Sequence, residues 1–278
     1  MPYTRRVPEL WNDLLNCLDL RACPSDDDRG DIALFDGANQ QLEYHRLFGG
    51  QLLAQLVRGA QLSCPGKSIK SLHAVFAREG RADEPVRYEI TRRHEGRSFA
   101  TLSAVAQQSR GVLATASVSM HAHEDGPELQ TIEAVPPVLP TDTHTEFSLI
   151  PWETRTTTDL SHSGVSAPEF EMWMRTPEID ADFAPALTAY ATDLNLIGTA
   201  LLGVDGFDHT GNGTKFTSAV TSHNLWFHRP FRSDEWLLLR QHSPILVHGR
   251  CFGRGDVLTE NGCLVASFAQ EALVRIPQ

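Results

Sequence analysis

Phe76-Ala77-Arg78-Glu79-Gly80-Arg81-Ala82-Asp83-Glu84 returns later in the chain as Phe227-His228-Arg229-Pro230-Phe231-Arg232-Ser233-Asp234-Glu235. The aromatic, arginine and acidic positions keep their places, displaced by about 151 residues. Gly96-Arg97-Ser98-Phe99 matches Gly249-Arg250-Cys251-Phe252 in the same way, and Gly111-Val112-Leu113 matches Gly262-Cys263-Leu264. With Phe76-Ala77-Arg78 and Arg81-Ala82-Asp83-Glu84 counted separately, four matches in order and nearly in register make the chain two copies of one unit of roughly 110 to 130 residues.

Both copies show the same element order. Ahead of the first match, His45 to Leu62 carries Leu47, Phe48, Leu52, Leu53, Leu56, Val57 and Ala60 at helical spacing, and Cys64-Pro65-Gly66 stops it. Four strand-like runs follow, near 69–77, 85–93, 98–108 and 111–121. The second copy supplies a helix over Ala181 to Leu202 and runs near 216–228, 236–247, 249–259 and 262–274, with Asn261-Gly262 as a hairpin turn. A long apolar helix followed by an antiparallel meander predicts a sheet curled round that helix. This is the α+β arrangement called a hotdog, here doubled. Its expected parts are a first repeat over 1–122, a Pro- and acid-rich linker over 123–146 without apolar period, and a second repeat over 147–278. Leu10 to Leu20 reads as a short amphipathic helix and Asp31 to Phe35 as a strand.

Composition narrows the function. The 278 residues are 41% apolar and 21% charged, which excludes a disordered chain, and a net charge of −11 supplies no global basic field for nucleic acid or anionic lipid. No apolar run nears the roughly 20 residues of a membrane span, and Met1-Pro2-Tyr3-Thr4-Arg5-Arg6 opens no secretory signal, so a cytoplasmic protein is expected. Cys17, Cys23, Cys64, Cys251 and Cys263 are odd in number and lack a CxxC pair, which suits reduced thiols. No metal or cofactor is expected. His121 and His123 share a strand face with no third ligand, Asp26-Asp27-Asp28 reads as a solvated turn, and Gly203 to Gly213 reads as a loop because no GxxxxGKS pattern occurs.

Two polar residues break apolar faces. Ala186, Tyr190, Asp193, Ile197 and Leu201 fall on one helical stripe, which sets Asp193 toward the curled sheet. A carboxylate there costs several kcal/mol to bury unless it is compensated. It is either a functional group or a structural acid capped by nearby backbone, Thr192 or Asn195. On the last strand one face reads Leu264, Ala266, Phe268, Gln270, Ala272 and Val274, leaving Gln270 as its single polar member. Either Gln270 is a satisfied core amide, or carboxylate and amide together hold one water, with Asp193 taking its proton and Gln270 fixing its place.

Leu47-Phe48-Gly49-Gly50-Gln51, Ala191-Thr192-Asp193-Leu194-Asn195, Trp226-Phe227-His228-Arg229-Pro230-Phe231 and Leu264-Val265-Ala266-Ser267 through Gln270-Glu271 closely resemble the type II, TesB-like acyl-CoA thioesterases. The resemblance spans about residues 33 to 275 and implies a double hotdog, homo-oligomeric, that hydrolyses acyl-CoA with a water oriented by an Asp, a Ser or Thr, and a Gln. Asp193 falls on the family's Asp and Gln270 on its Gln. The third member departs: its position is Val220, and the Asp-His pair that follows in the family stands here as Ser222-His223. On an extended strand Ser222 shares the face of Val220 and becomes the substitute hydroxyl, unless a bulge turns Thr221 inward.

Hydrolysis also needs a site for the oxyanion. Gly49 and Gly50, near the start of the first helix, offer bare backbone N–H groups at a positive dipole end, although close helix packing explains the same glycines. With hydrogen bonds from Gln270 and a hydroxyl, Asp193 is expected to stay ionised near neutral pH. Arg92, Arg93, Arg97, Arg229 and Arg250 are candidates by type for the phosphates of coenzyme A. Two other classes compete. Hotdog hydratases carry GDxNPxH or HFPxxP motifs, which are absent here. A TesB-like protein that binds acyl-CoA with weak or no turnover fits the Val220 departure.

Overall fold

A computed structural model of the chain describes residues 7–25, 30–42 and 46–276. Asp26-Asp27-Asp28 and His45 lie outside the described residues. The first half runs α1 (Val7–Leu18), β1 (Arg21–Cys23), β2 (Ile32–Gly37), α2 (Gly49–Ser63), β3 (Ser68–Phe76), β4 (Val86–Glu95), β5 (Phe99–Gln108) and β6 (Gly111–His121). The second runs β7 (Glu153–Arg155), β8 (Glu169–Arg175), α3 (Ala184–Thr192), α4 (Leu196–Leu201), β9 (Thr217–Phe227), β10 (Leu237–Val247), β11 (Arg250–Thr259) and β12 (Leu264–Arg275).

All twelve strands join one sheet in the order β1-β2-β4-β5-β6-β3-β9-β12-β11-β10-β8-β7. Read outward from the β3–β9 junction, both halves give the same succession. At that junction His73 pairs with Asn224, its own counterpart 151 residues on, and their side chains meet at 3.1 Å. A local pseudo-twofold therefore passes between them. Each half also carries the same defect: Lys70 is skipped in the β3–β6 register and Thr221 in the β9–β12 register. This is the double hotdog that the repeats predict.

The core lies between the concave face of the sheet and the helices. On α2, Leu52, Leu53, Ala54, Leu56, Val57 and Ala60 are all buried, and so are Gln51 and Gln55, whose amides bond one another and the Tyr88 hydroxyl, so the helix is enclosed nearly all round. It starts at Gly49, four residues after the expected start at His45, since Phe48 is still extended. The second helix is not the single rod expected over 181–202. A 3-10 turn over Ala181–Phe183 leads into α3, the chain breaks at Asp193–Asn195, and α4 resumes at Leu196. Asn195 has φ 4° and ψ −10°, off the helical values. Thr192, Asp193 and Asn195 are short polar residues that compete for backbone hydrogen bonds, so the helix ends where they cluster.

α2 and α3 pack antiparallel. Gln61 Nε2 donates to the Asp182 carbonyl at 2.9 Å near the start of α3, while Gly50 at the other end lies against the Tyr190 carbonyl. The segment after β6 is pinned and not free: Gln130 bonds both Gly262 O and Leu264 N, and Ile132, Val135, Val138 and Leu139 cover Trp173, Leu238 and Leu258 on the outer face. No helix among the described residues is long and apolar enough to cross a membrane.

Candidate active site

The break after α3 puts Asp193 at the N-terminus of α2. Gly50 N–H donates to its carboxylate, and Oδ2 lies so close to Gly49 that a Cβ there would stand 2.6 Å away. The two glycines thus admit the carboxylate to the positive end of the helix. Oδ1 is buried and has no hydrogen-bond partner among the described residues. Burial dominates over the Gly50 bond and pushes the Asp193 pKa up to about 7. The expectation that Asp193 stays ionised near neutral pH is corrected: with one backbone donor in place of the expected amide and hydroxyl donors, burial outweighs hydrogen bonding and the carboxyl titrates close to neutral pH instead.

Gln270, on β12, is fully buried and pairs across the sheet with His223 on β9. Its Oε1 lies 2.7 Å from His223 Nδ1, and the same nitrogen lies 3.9 Å from Asp193 Oδ1. Asp193 and Gln270 therefore flank one imidazole nitrogen. Gln270 Nε2 has no partner among the described residues. The imidazole is held on its other side by Thr192 Oγ1, 3.0 Å from Nε2, and it stacks on Phe268 with ring centroids 5.9 Å apart. Burial pushes its pKa down to about 4, so the ring is neutral. Sequence reasoning gave His223 no role. The signal was present, since His223, Leu225 and Phe227 share the inner face of β9 and the histidine is its polar exception, as Gln270 is on β12.

The hydroxyl expected at Ser222 is corrected. Ser222 pairs with Val75 and Glu271 on the outer face, where Val75 is exposed and Glu271 meets Arg250. The bulge places Thr221 on the cavity wall beside Val220, but its Oγ1 donates to Glu271 O at 3.0 Å. The oxyanion role expected for Gly50 is corrected too, because its N–H already serves Asp193. Asn195 Nδ2 is a buried donor without a partner among the described residues, and Asn195 lines the same cavity.

That cavity measures about 520 Å³ and has Asp193 in its wall. Phe48, Leu52, Phe76, Leu149, Ile197 and Phe216 make much of the lining apolar, with Arg46 and Arg78 as its two arginines. Arg92, Arg93, Arg97, Arg229 and Arg250 do not line it, whereas Arg46 does, paired there with Glu79 at 3.0 Å. No group of three His, Cys, Asp or Glu side chains among the described residues is placed to hold a metal ion.

Residues 41–121 match the model of the acyl-CoA thioesterase N-terminal domain, and residues 123–274, more than half of the chain, match that of the acyl-CoA thioesterase C-terminal domain. The chain belongs to the acyl-CoA thioesterase family. Acyl-CoA thioesterase 2 of Haemophilus influenzae is 28% identical, over 98% of this chain and 100% of its own length. The crystal structure of an acyl-CoA thioesterase II, TesB2, from Mycobacterium marinum is 28% identical with a TM-score of 0.74, over 95% of this chain and 98% of that one. This is a type II, TesB-like member. A hot dog fold protein of unknown function from Alicyclobacillus acidocaldarius, at 17% identity and a TM-score of 0.73 over 95% and 98% of the two chains, shares the fold.

Proposed function

We propose that this thioester hydrolase cleaves acyl-CoA into free acid and coenzyme A with a water held between Asp193 and Gln270. The observation that carries the reading is a buried acceptor, Asp193 Oδ1, and a buried donor, Gln270 Nε2, both without a partner among the described residues and both on residues beside His223. A water that donates to the first and accepts from the second satisfies both. Asp193 takes the proton as the water oxygen attacks the thioester carbonyl, the C–O bond forms, and charge gathers on the carbonyl oxygen. Asn195 Nδ2 is the donor we assign to that oxygen. Collapse breaks the C–S bond, and the proton on Asp193 passes to the departing thiolate. The acyl chain occupies the apolar wall of the cavity, and Arg46 and Arg78 meet the phosphates of coenzyme A.

The base works only when ionised, so kcat for acyl-CoA hydrolysis should rise about tenfold per pH unit below pH 6 and level off above about pH 8. The check is thiol release from acyl-CoAs of graded chain length, measured across that range. A rate that is flat from pH 5 to 8 removes Asp193 as the base. A second reading, binding with weak turnover, is favoured by Val220, which puts a methyl pair where the family's hydroxyl stands. In that case acyl-CoA raises the melting temperature while thiol release stays near background. Val220 pairs with the buried Ala272 and faces the cavity. Val220→Thr should therefore raise kcat by about tenfold, the worth of one added hydrogen bond to the water or the carboxylate. An unchanged or lower rate rejects a missing hydroxyl as the limit.

A further inference from the structure

We propose that His223 is a positioning residue: its Nδ1–H holds Gln270 Oε1 and so turns the amide nitrogen of Gln270 toward Asp193. This rests on the hydrolysis reading and deepens it. An amide has a donor end and an acceptor end of equal size, and only one serves the water described above. Gln270 Nε2 has no partner among the described residues, so the orientation of the amide is decided at Oε1, and the group there is His223 Nδ1 at 2.7 Å.

The tautomer follows from the surroundings of the ring. Two oxygens lie on the Nδ1 side, Gln270 Oε1 at 2.7 Å and Asp193 Oδ1 at 3.9 Å. Both favour a proton on that nitrogen. On the Nε2 side stands the Thr192 hydroxyl at 3.0 Å, which can donate. The competing arrangement sends the Thr192 proton to Ala189 O, 3.2 Å away, and leaves the ring proton on Nε2. Nδ1 would then accept from the amide, Gln270 would turn Oε1 toward Asp193, and two acceptors would face one ionised site. Ionisation of Asp193 thus selects the Nδ1–H form. Phe268, stacked on the ring, prevents the imidazole from tilting away.

The other half of the molecule shows what the fold alone requires at this place. Two residues beyond the bulge at Lys70, Leu72 pairs with Val118; two residues beyond the bulge at Thr221, His223 pairs with Gln270. Leu72 and Val118 are buried like their counterparts. The sheet closes over an aliphatic pair in one half and a polar pair in the other, and the polar pair belongs to the half that carries Asp193. Packing is satisfied by leucine, so the histidine answers to something else.

The test uses the full-length protein. Wild type should show His223 with Nδ1 protonated and Nε2 bare in 15N spectra of the imidazole at pH 8 and above, where Asp193 is ionised, whatever its activity. His223→Leu should keep the melting temperature within a few degrees. It should lower kcat about ten- to hundredfold with KM within about twofold, the cost of losing one orienting hydrogen bond. His223→Asn, which keeps a donor near the Nδ1 position, should recover at least about tenfold of that loss. An Nε2–H tautomer overturns the proposal, as do equal losses in the leucine and asparagine variants or full activity in His223→Leu. A wild type that releases no thiol from any acyl-CoA overturns the hydrolysis reading instead, and the ring tautomer still decides which way His223 holds Gln270.

Discussion

Asp193→Asn is expected to abolish thioester hydrolysis and, at pH 8, to make the protein more stable than wild type. The carboxylate has a pKa of about 7 in the folded chain against an ordinary 3.8. Between those values the native state binds the proton more tightly than the unfolded chain, so stability falls as pH rises through the window and the full cost stands above pH 7. That cost amounts to at most about 4 kcal/mol at about 1.4 kcal/mol per pH unit. Asparagine removes the charge and keeps the shape: its oxygen can accept from Gly50 N–H and its amide can fill the side that Oδ1 leaves unpartnered. The melting temperature of Asp193→Asn should exceed that of wild type by several degrees at pH 8, with the gap closing toward pH 4. His223 works in the opposite sense, because its folded pKa of about 4 lies below the ordinary 6.5 and stability is lost as pH falls. It does so in both proteins, and the difference between them isolates Asp193. Loss of the base should lower kcat by at least about a thousandfold. Thiol release at the wild-type rate, or a variant less stable than wild type at pH 8, would remove Asp193 from its assigned role.

What the sequence could and could not reveal follows from the range of the interactions concerned. Asp193 and Gln270 were legible because each interrupts a periodic apolar face, and a face is a local property of one helix or strand. His223 is the same kind of interruption on β9, but its face depends on the bulge at Thr221, which local alternation does not show. The break after α3 was not legible. The stripe of Ala186, Tyr190, Asp193, Ile197 and Leu201 continues straight across it and masks the short polar residues that end α3, and the partner that the break gives Asp193, the start of α2, lies more than a hundred residues earlier. The same distance in sequence hides the role of Gly50, whose N–H meets Asp193 only after the two halves have packed. Arg46 and Arg78 come to the cavity through the β3–β4 connection and the lead-in to α2, and no local pattern separates them from the other arginines. Strand alternation placed Ser222 inward because alternation holds only without a bulge, and the skipped Thr221 reverses it.

Gly49→Ala and Gly50→Ala should fail in different ways, and the contrast tests how the site is built. A Cβ on Gly50 would lie 2.5 Å from the Tyr190 carbonyl oxygen and 2.5 Å from Phe48 Cε1. The carbonyl belongs to the backbone of α3, so relief requires the two helices to part there. Overpacking of this kind costs about 3 kcal/mol or more when backbone must move. Gly50→Ala should lower the melting temperature by about 6 °C or more, or prevent soluble expression. A Cβ on Gly49 would meet Asp193 Oδ2 at 2.6 Å, and that atom is the end of a side chain that can rotate. Gly49→Ala should therefore fold with a melting temperature within a few degrees of wild type. Its carboxylate, pushed off the helix N-terminus, should lose most of the hydrolytic rate, by about a hundredfold for a displacement near 1 Å. Gly66→Ala, where nothing lies within 4 Å of the added carbon, serves as the neutral comparison. If Gly49→Ala hydrolyses acyl-CoA as fast as Gly66→Ala, the contact between the start of α2 and Asp193 has no part in catalysis, and the glycine pair serves packing alone.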